Sequence, residues 1–186
     1  MAASVLGVHP FNQPDVEVSK ELAREALKHG RPRTGETISI EDHGRLGKEL
    51  ETWMAQAARG CYISIQAYLQ PTDETTQLLH GIKRELLIRT RLAITTGYGP
   101  GFLHSTGQLH KGGPNTGLFL QLMDEPIGDA SVPGLGRTFG ELINAQSIGD
   151  YQALRTLGRR VLRLNLKGDV PGGLRLLEKE IQERVK

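Results

Sequence analysis

A chain of 186 residues, 38% of them hydrophobic, suffices for one domain of ordinary size with its own core, or for a domain carrying an arm. Its 23 Lys and Arg against 21 Asp and Glu leave a formal charge of +2, scattered rather than striped, so no nucleic acid is expected as a partner; no apolar stretch approaches the roughly 20 residues of a membrane-spanning helix, so no membrane is expected either. The single cysteine, Cys61, excludes a disulfide framework, and the amino terminus lacks the flank and apolar run of a secretory signal; both fit a reducing cytoplasm.

In chain order, Val5 to Phe11 is a short apolar segment, read as a strand over Val5 to Val8. Pro14 stands near a first helical position, and Val18, Leu22, Ala23, Ala26 and Leu27 recur at helical spacing until Gly30 supplies a stop. His29 to His43 mixes Gly, Pro, Arg and Thr without periodicity and reads as a connector. Leu46, Leu50, Trp53, Met54 and Ala57 mark a second amphipathic helix. Cys61, Ile63, Ile65, Ala67 and Leu69 then alternate with Tyr62, Ser64, Gln66 and Tyr68, the period of a strand, which puts Cys61 on its apolar side as a buried structural thiol. Thr72 is a cap for a helix with Leu78, Leu79, Ile82 and Leu86 on one face, followed by a strand at Leu92 to Ile94. Gly117 to Met123 and Val161 to Leu166 read as further strands, separated by a helix that the capping box Thr138 to Glu141 opens; Leu174, Leu177, Ile181 and Val185 mark a closing helix. Strands alternating with helices imply a doubly wound α/β fold of the Rossmann type with a mostly parallel sheet. The chain thus divides into an amino-terminal helical arm (1–30), a connector (31–45) and an α/β domain (46–186).

In such sheets ligands bind beyond the carboxyl ends of the strands, which directs attention to Gly97 through Asn115. Glycines 97, 99, 101, 107, 112 and 113 bracket His104, His110 and Lys111, together with Ser105, Thr106 and Gln108. Glycine lets backbone amides approach a ligand, and the hydroxyls and the lysine suit a phosphorylated metabolite. The same residues also fit a tight strand-to-helix turn whose histidines bond the backbone, and composition does not separate the two readings. The segment is neither a Walker loop nor a dinucleotide fingerprint, and the spacing of His104 and His110 does not place two metal ligands on one helix face, so no metal or organic cofactor is expected. Asn144, Gln146, Asp150 and Tyr151 either face a ligand crevice or connect two helices, and the Arg159-Arg160 pair borders a strand.

Gly7-Val8-His9-Pro10-Phe11-Asn12-Gln13-Pro14-Asp15-Val16-Glu17-Val18-Ser19-Lys20 resembles the phosphoglucose isomerase segment that reads Asn-Pro-Phe-Asp-Gln-Pro-Gly-Val-Glu and ends on a catalytic lysine. The remainder, notably Gly97 to Asn115 and Phe139 to Arg160, is similar to the carboxy-terminal region of bifunctional transaldolase/phosphoglucose isomerases. The resemblance implies a sugar-isomerase-like domain that takes a sugar phosphate, with Lys20 stabilising charge and His104 near the family's ring-opening histidine. Ser105, Thr106, Gly107, Gln108, His110 and Lys111 would then lie at the substrate. It also implies gaps. The family's Gly-Gly-Ser type phosphate loop and its glutamate base precede the lysine helix, whereas only six residues precede Gly7, and Gly101 stands where the family has an arginine after Gly-Tyr-Gly-Pro. Interconversion of glucose 6-phosphate and fructose 6-phosphate needs a base, a ring-opening acid and an oxyanion stabiliser. The chain offers no recognisable base, so an amino-terminal isomerase portion or a homo-oligomer is the expected partner, and a non-catalytic sugar-phosphate-binding or structural module is the alternative.

Overall fold

The computed structural model describes residues 2–7, 9, 12, 14–29, 37–125 and 128–184, the side chain of His29 apart. The elements run α1 (Ala2–Leu6), α2 (Pro14–His29), β1 (Thr37–Ser39), α3 (His43–Met54), β2 (Tyr62–Tyr68), α4 (Asp73–Thr90), β3 (Ala93–Tyr98), a 3-10 turn (Gly101–His104), α5 (Gly107–Gly112), β4 (Gly117–Met123), β5 (Ser131–Val132), β6 (Arg137–Thr138), α6 (Phe139–Thr156), β7 (Arg160–Asn165) and α7 (Val170–Arg184). Five parallel strands form one sheet in the order β1-β7-β4-β2-β3, while β5 and β6 make a small antiparallel ladder before α6. The fold is a doubly wound, Rossmann-like α/β architecture. From β2 the chain passes through α4 to β3 on one side, and from β4 through α6 to β7 on the other, so the winding reverses between β2 and β4.

The two faces of this sheet differ chemically. Ile38, Ile63, Ile65, Ala67, Leu118, Leu120, Leu122, Leu162 and Leu164 point to one side and join Leu46, Leu50 and Trp53 of α3, Leu79, Ile82 and Leu86 of α4, and Leu174, Leu177 and Ile181 of α7 in a single apolar core. The register of β2, β4 and β7 aligns Gln66 with Gln121 and Gln121 with Arg163, and all three face the opposite side with Ser64, Tyr68 and Asn165. That polar side is nevertheless buried, under α5 and α6, which α2 in turn covers. The alternation in 61–69 therefore fixes direction but not exposure, because a central strand of a three-layer fold is covered on both faces. Cys61 precedes β2, is only partly buried, and its Sγ lies 3.6 Å from Arg160 Nη1.

Local signals behave as their chemistry requires. Pro14 opens α2, the Thr72 hydroxyl accepts from Thr75 N, and both halves of the Thr138/Glu141 capping box form. Strand β3 continues through Tyr98, so Gly97 lies in the sheet, where its missing side chain admits the Phe102 ring. Val5 and Leu6 belong to a short exposed helix rather than to a strand, and among the described residues no strand pairs with them; Val8, Pro10 and Phe11 lie outside the described residues, as do Gly30 and Val185. The connector at 31–45 contributes β1, which pairs with β7, and the start of α3, so among the described residues sheet structure begins at Thr37.

Helix α2 lies flat on α6. Its buried stripe is Val16, Ser19 and Ala23, which leaves Val18 largely exposed, and a Cβ on Gly149 would come within 2.5 Å of Ser19 O and 2.7 Å of Ala23 N. Two backbones thus meet where only glycine fits. Asp15 closes one end of the contact, receiving the Gln108 amide at 2.5 Å while its N–H donates to Gln108 Oε1 at 3.2 Å, and the Arg137 guanidinium donates to Leu27 O at 2.9 Å at the other. A Gly149→Ala variant is expected to push α2 outward and lower the unfolding free energy by about 1–3 kcal/mol in urea denaturation.

Candidate functional site

The polar side of the sheet is organised around one ion pair. Lys111 Nζ, from α5, lies 2.5 Å from Asp150 Oδ1, from α6, and neither side chain is exposed. Tyr68 lies against Asp150, and burial pushes its hydroxyl well above the usual phenol range. Burial raises the Asp150 carboxyl, and the Lys111 ammonium opposes that rise. The Arg163 guanidinium donates to Gln121 Oε1, to Ser147 O at 3.0 Å and to Ser147 Oγ at 3.0 Å, and it lies 5.3 Å from the centre of the Tyr151 ring. Burial lowers its pKa to about 10. Neither amide atom of the fully buried Gln66 has a hydrogen-bond partner among the described residues.

His110 belongs to the same layer. Its Nδ1 lies 2.8 Å from the Tyr62 hydroxyl and its Nε2 3.4 Å from Ser64 Oγ, while the ring meets Phe119 edge-on. Burial first, and the Lys111 charge second, lower its pKa to about 4, so the ring is neutral near pH 7. Beside Ser64 opens a hollow of about 290 Å³ whose wall carries the hydroxyls of Thr95, Thr96, Ser105 and Thr106 and the backbone of Gly97 and Gly101. Among the described residues its lining has no charged side chain. Hydroxyls, glycine backbone and a neutral imidazole nearby suit a small polyhydroxylated or phosphorylated molecule.

A larger hollow, about 700 Å³, lies at the carboxyl ends of β1, β4 and β7. Much of its polar lining is engaged in the fold: Asp124 Oδ1 accepts from Gly168 N at 2.7 Å, Asn165 donates to Glu125 at 3.2 Å, and Asp129 accepts from Gly140 N at 2.9 Å. Hydrogen bonds from Thr138 and then from Gly140 hold the Asp129 carboxyl below its usual range. Asn144 Oδ1 in this lining is buried without a partner among the described residues.

The residues singled out by sequence separate into groups. Ser105 and Thr106 line the smaller hollow, although both hydroxyls donate to Phe102 O, at 3.0 and 3.3 Å. Gly107 packs against Val16 and Leu103, and Gln108 holds Asp15. His104 is exposed at the end of the 3-10 turn. His110 and Lys111, although adjacent in sequence, reach different partners, and Lys111 is committed to Asp150. The structure does not bring His104, His110 and Lys111 to one point. Lys20 stands on the outer side of α2, 45% exposed, with Nζ 2.5 Å from Glu17 Oε1, and that contact holds the Glu17 carboxyl below its usual range. Asp150 and Tyr151 face inward from the middle of α6, whereas Gln146 is exposed. Arg159 borders β7 and donates to Gly113 O at 2.7 Å, tying α5 to that strand. The residues missed are Tyr68, Gln66, Gln121 and Arg163; polar side chains at alternate positions of strands flanked by helical segments were the available signal. Among the described residues no group of three or more His, Cys, Asp or Glu could hold a metal ion.

No family model matches the chain, and no curated protein matches it. Among solved structures it is similar to a hypothetical protein from Thermus thermophilus, with a TM-score of 0.60 and 17% identity over 94% of this chain and 44% of that one. At that identity the likeness is one of fold, and the chain spans less than half the length of that protein. Among the described residues no helix is long and apolar enough to cross a membrane.

Two outcomes follow from the buried layer. Lys111→Met leaves Asp150 buried without its cation and is expected to cost about 3–5 kcal/mol, whereas adding Asp150→Leu restores much of the loss, as read by urea denaturation. Because His110 is neutral when folded and takes a proton more readily when unfolded, stability should fall as pH drops from about 6.5 toward about 4. A His110→Gln variant should show a shallower fall over that window than the wild type when melting temperature is followed against pH.

Proposed function

We propose that the chain is the carboxy-terminal portion of a glucose-6-phosphate isomerase, supplying the lysine and part of the sugar-phosphate site to an amino-terminal portion that carries the base. The observation that carries this reading is the placement of Lys20. The segment that resembles the family's lysine motif opens α2; that helix is pinned to α6 through Gly149, and Lys20 is turned away from the domain. A rigidly seated helix with an outward ammonium suits a group that acts on a substrate held partly by another surface. The hydroxyl-lined hollow at Ser105 and Thr106 supports a sugar phosphate as the ligand class, and the greater length of the Thermus thermophilus protein supports a fold of this kind within a longer protein. The reaction moves a proton between C1 and C2 through an enediol, and a cation near the developing oxyanion lowers its barrier. Lys20 would take that role, with Glu17 holding it in place.

A non-catalytic sugar-phosphate-binding module is the second reading, and it is favoured by the smaller hollow, whose described lining offers hydroxyls to a sugar but no carboxylate or imidazole to move a proton. It predicts saturable binding of glucose 6-phosphate with no turnover under any pairing. The experiment that separates the two mixes the purified chain with an amino-terminal isomerase portion bearing the phosphate loop and glutamate, and follows glucose 6-phosphate conversion in a coupled assay. The proposal predicts turnover on mixing that falls about a hundredfold or more in Lys20→Ala, as for loss of one oxyanion-stabilising donor. Binding without turnover in the mixture would leave the binding module in its place.

A further inference from the structure

At the end of the sheet opposite the carboxyl-end hollow, the loops before β2 and β3 and the last turn of α7 enclose a groove of about 750 Å³. Among the described residues Arg59, Arg89, Arg91 and Arg184 line it together with one carboxylate, Glu51, while Glu180 and Glu85 pair with Arg184 and Arg89 from outside the lining. Ligands of doubly wound sheets are expected at the carboxyl ends of the strands, so neither the fold nor the proposed isomerase role explains arginines collected here. Two of them are fixed. Arg184 donates to Glu180 at 2.5 Å and to Glu51 at 3.1 Å, and its guanidinium occupies the space that a side chain on Gly47 would fill. Arg89 lies 3.7 Å from Glu85. The other two stand on the rim: Arg59 is exposed in the loop before β2, and exposed Arg91 caps α4 in the left-handed conformation, φ 54°, unusual for a residue of its size. Arg160 supports the floor, donating to Gln56 O at 2.9 Å and Asn115 O at 2.8 Å beside Cys61.

We propose that this groove binds a small polyanion, of the chemical class of a di- or triphosphate, with the exposed Arg59 and Arg91 closing on it from the rim and Arg184 and Arg89 as the anchored donors. Guanidinium forks match phosphate oxygens two at a time, which an ammonium does not, and anchored ones give up little freedom on binding. The site is separate from the sugar-phosphate hollow and does not depend on the isomerase reading.

The test is calorimetric titration of the full chain with inorganic tripolyphosphate at low ionic strength. The expected result is one saturable site whose affinity falls about tenfold for each rim arginine removed, hence about a hundredfold in Arg59→Ala/Arg91→Ala. The control Lys28→Ala/Arg175→Ala removes the same two charges elsewhere on the surface and should leave affinity nearly unchanged. Equal losses in both double variants, or no loss in the groove variant, would overturn the proposal. Binding of single-stranded DNA that tightens with its length while tripolyphosphate does not bind would overturn the assignment to a small ligand. Both double variants alter exposed residues, and a wild-type melting temperature verifies that each is folded.

Discussion

The buried ion pair between Lys111 and Asp150 is the constraint around which the polar half of the molecule is arranged. Two charges with no solvent exposure are tolerable only when each faces the other closely and the surrounding dipoles are fixed. The pair bridges α5 to α6, and both helices must therefore sit close to the sheet. Arg163 cannot then be neutralised by Asp150 alone, and it is satisfied instead by Gln121 and the Ser147 backbone and hydroxyl. His110, next to Lys111 in sequence, is turned the other way, toward Tyr62 and Ser64, and burial first, then the lysine's charge, keeps its ring neutral.

The contrast between the two sheet faces organises the rest. The face under α3, α4 and α7 is apolar and supplies the hydrophobic drive to fold, whereas the face under α5 and α6 carries nearly all of the buried polar groups. A polar layer of this kind contributes little net stability, but it demands one arrangement of its helices, because a shifted helix would leave charges without partners. The close approach of α2 to α6 at Gly149 extends this order to the amino-terminal helix, so Lys20 is carried on a positioned element even though its own side chain lies at the surface. Positioning of the candidate lysine thus descends from interactions made by residues that never touch it.

Much of the fold was legible in the sequence because its signals were local. Hydrophobic periodicity located the main helices and strands, and the side-chain caps at Thr72 and Thr138 located two helix starts. Burial of the polar strand positions was not legible, since Ser64, Gln66 and Gln121 are covered by helices distant in sequence. Strand β1 was missed because three residues carry too short a pattern, and its pairing with β7 is more than a hundred residues away. In the candidate site, Ser105 and Thr106 lie at a hollow as their hydroxyls suggested, whereas Lys111 reads in sequence as a phosphate ligand and in the structure faces Asp150. The carboxylate that claims it lies on another helix, and no sequence spacing announces that meeting.

In the proposed reading this chain carries the lysine and the hydroxyl-lined hollow, and the base belongs to another portion. The most direct measurement is the rate at which the isolated wild-type chain converts glucose 6-phosphate to fructose 6-phosphate in a coupled assay near neutral pH. No conversion above the uncatalysed background is expected. Sustained conversion by the chain alone would contradict that reading, because the base would then lie within these 186 residues.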